Sequence, residues 1–187
     1  PYNMIKKLIN PFAYYSERTL FITGLISVAI NLLMCYVLDL KMIALMLYGY
    51  DTKGWSDIVF TTLRTYIIYI IVYFILTWLI NRRTRLIDIA NTVFLTILPA
   101  FIILPLAEIP FIENANSLKH NKGDELSFLN ILTFSVYDLI EIGIQVVFFV
   151  LLYNGIKTAA NLKKTYQVII IFSIFILMSR LLPYILK

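Results

Sequence analysis

Five stretches of this chain, at 19–40, 58–80, 89–107, 128–153 and 166–186, are apolar, carry few charges and run to about 20 residues. That is the helix length a hydrocarbon core of roughly 30 Å requires, whereas strands of a membrane barrel would run to about 10 residues and alternate. With 60% hydrophobic and only 14% charged residues, the chain carries more apolar surface than a soluble domain can bury. The expected fold class is therefore all-α: a polytopic transmembrane helical bundle of five spans, forming one domain over 19–187.

The connections are punctuated as water-exposed turns should be. Residues 49–57 combine glycines, charges and a candidate cap ahead of the second span. Residues 113–125 form the longest polar stretch, hold the one histidine, His120, and are expected to be a mobile loop. The short apolar run 40–48 follows Asp39 and Lys41 and reads as an interfacial extension of the first span rather than a further crossing. Tyr14, Tyr15, Trp55, Trp78, Tyr153, Tyr166 and Tyr184 fall near the span limits, as interfacial anchors do.

Basic residues set the orientation. With the N-terminus inside, that side holds Lys6, Lys7, Arg18, Arg82, Arg83, Arg85, Lys157, Lys163 and Lys164; the other holds Lys41, Lys53, Lys119, Lys122 and Lys187. Nine against five predicts the N-terminus in and the C-terminus out. The same rule accounts for the net charge of +5, so nucleic acid is not expected as a partner. Residues 1–18 form a separate amphipathic segment, with Ile5, Leu8, Ile9 and Phe12 at helical spacing beside Lys6 and Lys7. Such a segment suits the surface of an anionic leaflet, and Asn10-Pro11 should interrupt it. No cleavage pattern precedes the first span, which is expected to be retained as an anchor.

Arg64, Asp138, Glu141 and Arg180 lie inside the spans, where an uncompensated charge costs on the order of 2.5 to 3.5 kcal/mol. Asn130, Phe134, Asp138, Glu141 and Gln145 advance by four, four, three and four, placing the polar members on one helical face that should look into the bundle. At 1.5 Å per residue Asp138 sits roughly 15 Å into its span, and Arg64 and Arg180 about 10 Å from the same surface. Two readings stay open. In one, the arginines hold the second and fifth spans against the fourth through ion pairs. In the other, two neighbouring carboxylates share a proton and serve a proton or cation relay.

Other polar residues read as helix-to-helix hydrogen bonders: Thr61, Thr62, Thr65, Tyr66, Tyr69 and Tyr73 in the second span, and Asn31, Asn91, Thr92, Thr96 and Ser135 elsewhere. Pro99 and Pro105 should kink or break the third span. Cys35 is the one cysteine, so no intrachain disulfide forms, and packing is its expected role. No zinc-binding pattern, nucleophile elbow or phosphate-binding glycine loop occurs, so neither enzyme activity nor a cofactor or metal is expected. Spans two and three, and four and five, form hairpins that cross in the same directions, the layout of a parallel repeat.

Asn10-Pro11 before the first span, Thr96-Ile97-Leu98-Pro99-Ala100 in the third, and Tyr153-Asn154-Gly155-Ile156-Lys157 leading to Asn161-Leu162-Lys163-Lys164 resemble the Yip family of Ypt/Rab-interacting membrane proteins. The resemblance runs from residue 10 to residue 186 and implies a five-span bundle that organises membranes or binds partners without catalysis. It implies no active-site residues. Trafficking members of that family contact prenylated small GTPases through a cytoplasmic N-terminal region. Residues 1–18 are too short for that role, so a GTPase is not the expected partner here. Membrane lipids, a second copy of the chain or another membrane protein are, in a bacterial-type inner membrane to which the abundant Ile, Asn and Lys point.

Overall fold

A computed structural model describes residues 2–50, 52–107 and 128–185. The polar loop 113–125 with His120 lies outside the described residues. The chain is mostly helical. α1 (Tyr2–Ile9) ends at Asn10, and Pro11 opens a short 3-10 turn (Pro11–Ala13), as its fixed backbone angle favours. α2 (Glu17–Val37) starts at Ser16, whose Oγ accepts the backbone N–H of Thr19 at 3.2 Å. Two short strands follow, β1 (Lys41–Ala44) and β2 (Leu47–Gly49). Next come α3 (Trp55–Ile80), α4 (Leu86–Thr96), α5 (Ala100–Ala107), α6 (Phe128–Ala159) and α7 (Thr165–Ile185).

Among the described residues four stretches are long and apolar enough to cross a membrane: Glu17–Val37, Trp55–Ile80, Leu86–Leu106 and Ser135–Ala159. They mark an integral membrane protein. In α7 the apolar stretch is shorter, Ile169–Leu181. α3 shows how the bundle is turned inside out relative to a soluble one. Its exposed large residues, Phe60, Leu63, Ile67, Ile71, Ile75 and Leu79, recur every three or four positions. The buried face carries Thr61, Thr62, Thr65, Tyr66, Tyr69, Tyr73 and Thr77. Lipid can solvate the first set; the second must find hydrogen bonds inside.

The third apolar stretch is 56% buried against 28 to 33% for the other three, so α4 and α5 form the centre. α4 packs on α6, α2 and α3. Two glycines permit the close crossings. A Cβ on Gly24 of α2 would meet the Phe94 Cβ at 3.0 Å, and one on Gly155 of α6 would run into the Thr92 Cγ2. Pro99 breaks the stretch as expected, with residues 97–99 forming a turn between α4 and α5. The backbone N–H groups of Leu98, Ala100, Phe101 and Ile102 each bond three residues back, at 2.8 to 3.2 Å. Pro105 lies inside α5 without ending it.

Residues 40–48 differ from expectation. Asp39 adopts a left-handed backbone, φ +50°, which stops α2 and turns the chain back. β1 and β2 then pair antiparallel with an irregularity between Met42 and Ala44. The run forms a hairpin rather than an extension of the first helix: Leu40, Met42, Ala44 and Leu45 are buried, and β1 packs on α3 and α7. The bundle is thus mostly helical, with a short hairpin whose first strand is packed into it. Lys41 ties the hairpin to the start of α3 through Asp57, Nζ to Oδ2 2.9 Å.

Candidate functional site

The polar side chains of α2, the hairpin and α3 meet in one buried network. Asn31 is its hub. Its Nδ2 donates to the Tyr66 hydroxyl at 3.1 Å and approaches the Met42 sulfur at 3.8 Å, while its Oδ1 accepts from Tyr48 at 2.9 Å. Thr65 Oγ1 donates to the Met42 carbonyl at 2.8 Å, and the Met42 N–H donates to Thr62 Oγ1 at 3.3 Å. These bonds anchor the backbone of β1 at buried Met42. Lower on α3, the Tyr69 hydroxyl and Ser179 of α7 lie 3.1 Å apart. The network is neutral and closely packed, which suits a structural core.

The charged residues singled out in the sequence lie on α3, α6 and α7. Asp138 and Glu141 are half-buried on α6, in the stripe that continues through buried Ile144 and Phe148. Gln145 is exposed and donates from Nε2 to Glu141 Oε1 at 3.0 Å. Arg64 is half-buried, with its guanidinium 5.5 Å from the centre of the Phe60 ring. Arg180 is exposed on α7. Among the described residues no group of three or more His, Cys, Asp or Glu side chains gathers as a metal set, and Cys35 is buried.

Two adjoining hollows lie where α1 and the 3-10 turn dock against α2, α4 and α6. Docking is fixed in part by Asn154, whose Nδ2 donates to the Ile9 carbonyl at 2.9 Å. The larger hollow is an apolar groove of about 650 Å³ walled by Leu8, Leu20, Leu98, Ile102, Ile144 and Val147, with Lys7 and Tyr15 among its polar edges. The smaller is a polar crypt of about 230 Å³ at the ends of the same helices, reached by Glu17, Arg85, Asp88, Asn91 and Thr158. Tyr15 and Leu20 line both.

Arg85 organises the crypt. Its Nε and Nη2 hold the two Asp88 oxygens at 2.9 and 2.8 Å, and Nη2 also reaches Glu17 Oε2 at 2.8 Å. Asp88 first, and Glu17 after it, raise the guanidinium pKa above its already high ordinary value. One turn deeper on α4, Asn91 is 1% exposed, and its Oδ1 accepts no hydrogen bond from the protein. In the sequence Asn91 reads as one more helix-to-helix hydrogen bonder, and Arg85 as one of the basic residues that set the orientation. What signals a site is a buried amide one turn inside a charged pair, which becomes visible only once α2 and α6 are packed around it. The chain matches no family model, no curated protein and no solved structure.

Proposed function

We propose that this protein binds and orders phospholipid without catalysis, as a five-span bundle with its N-terminus inside and its C-terminus outside a bacterial-type inner membrane. The supporting observation is the groove. Its volume falls within the roughly 300 to 1,000 Å³ of ligand-holding pockets. Its walls reach down the apolar spans at Leu98 and Ile102, and its rim residues Ile102 and Val147 are 63% and 51% exposed, so it opens toward acyl chains rather than water. Lys7 stands at the end nearest the basic flank, where it complements an anionic phosphate. An acyl chain lying in the groove with its phosphate beside Lys7 satisfies both features. A membrane-organising or partner-binding role without catalysis is the one expected from the Yip-type resemblance.

A phospholipid carrying a photoreactive group on its acyl chain, reconstituted with the protein in liposomes, tests the reading. Cross-links should concentrate on α4–α5 and α6 around Leu98, Ile102 and Val147. Equal labelling of the outer face of α3, around Phe60 and Ile67, would reduce the groove to ordinary lipid-facing surface. A protein segment in the groove would exclude the probe from it.

A second reading rests on Asp138 and Glu141, which are half-buried in the same stripe as Ile144 and Phe148 and could serve a proton or cation relay. Arg64 and Arg180 would then balance charge from α3 and α7. Proton or cation flux in liposomes, lost in Asp138→Asn and Glu141→Gln with folding retained, supports it; absence of flux in the parent protein removes it.

A further inference from the structure

We infer that the crypt beside the groove receives the primary ammonium of an aminophospholipid, so that the protein selects phosphatidylethanolamine-type headgroups over quaternary choline ones. This rests on the lipid-binding reading and adds the headgroup to it. Three features of the crypt point to an ammonium. Its ionised side chains are two carboxylates and one guanidinium, Glu17, Asp88 and Arg85, leaving one net negative charge. Arg85 holds both carboxylates in place, yet each carboxylate oxygen has lone pairs beyond the one it shares with Arg85. Asn91 Oδ1, buried and accepting nothing from the protein, requires a donor.

A primary ammonium brings a positive charge and three N–H donors, whereas a phosphate or carboxylate ligand brings neither, and a trimethylammonium brings charge without N–H. Phe12 and Tyr15 on the crypt wall add aromatic surface that suits a cation. Position then connects amine to lipid. Tyr15 and Leu20 form the partition between crypt and groove, so a headgroup entering one is contiguous with a chain lying in the other. The crypt also sits at the mouths of α2 and α4, at headgroup level for helices that begin at Glu17 and Leu86.

Native mass spectrometry of the protein released from nanodiscs containing equal phosphatidylethanolamine and phosphatidylcholine reads the preference directly. The parent should retain the ethanolamine lipid about tenfold over the choline lipid, the worth of one charge-assisted hydrogen bond. Asn91→Leu should retain the same total lipid with no preference. Should that variant misfold, Glu17→Gln, at a half-exposed side chain, should lower the preference without changing the total. Free ethanolamine added to the parent should compete for the ethanolamine lipid and leave the choline lipid bound. Equal retention of both lipids by the parent would overturn the headgroup assignment while leaving the groove reading intact, and retention of neither would overturn both. Binding of free ethanolamine without any lipid preference would overturn the lipid source.

Discussion

The Ser27 hydroxyl of α2 lies 2.7 Å from the Phe94 carbonyl of α4, at the turn where α4 gives way to α5. Without the turn, that carbonyl would accept the Leu98 N–H four residues on. Pro99 diverts the ladder, and Leu98 bonds to Leu95 instead at 3.2 Å. A neighbouring helix thus satisfies the carbonyl that the turn frees, as hydrocarbon demands. Ser27 also donates to the Gly24 carbonyl, at 2.8 Å, one turn back on its own helix, where Phe94 packs against the glycine.

Replacing Ser27 with Ala should cost about 1 to 3 kcal/mol, the penalty for an unsatisfied buried carbonyl. In a Pro99→Ala background the loss should shrink, because the Leu98 N–H can then return to Phe94. Unfolding of the four proteins in detergent measures the coupling, and strictly additive losses would separate the serine from the proline.

Asn31 joins α2, the hairpin and α3, so its loss should be felt in all three. Asn31→Leu leaves the buried hydroxyls of Tyr48 and Tyr66 without their shared partner and should destabilise by about 1 to 3 kcal/mol. Tyr66→Phe removes one bond and keeps the other, for a loss of about 1 kcal/mol. Equal effects from the two variants would show that Asn31 is not the hub.

Gly155→Ala drives a methyl into Thr92, with Phe12 also close at 3.0 Å. Overpacking of this kind costs about 1 to 3 kcal/mol, and adding Thr92→Ala should recover part of it. The readout is thermal unfolding of the single and double variants. An unaffected single variant would place α4 and α6 further apart than described.

The spans were legible because length and apolarity are local. Expected 19–40, 58–80 and 89–107 became Glu17–Val37, Trp55–Ile80 and Leu86–Leu106, and both Asn10-Pro11 and Pro99 interrupted helices where a missing backbone donor should. The hairpin was not legible. Leu45 and Met46 at its turn lack the Asn-Gly or Gly signature, and Met46 takes its positive φ of 63° because tertiary packing holds it there. Of the hydroxyl stripe of α3, Tyr66 and Tyr69 bond to neighbouring helices as expected, whereas Thr62 and Thr65 bond to the β1 backbone and Thr61 to Asp57 of its own helix. The groove and crypt escaped the sequence for a different reason. Lys7, Glu17, Arg85 and Gly155 come from four separate stretches, and each alone looks like an interfacial charge or a packing glycine.

Both the lipid-binding proposal and the headgroup preference need a phospholipid chain in the groove between α1, α2, α4–α5 and α6. Val147 lines that groove at an exposed position, so Val147→Trp fills it without disturbing the core. Native mass spectrometry after detergent exchange should find phospholipid retained by the parent and lost from Val147→Trp at unchanged thermal stability. Retention by the variant equal to that of the parent would contradict the claim.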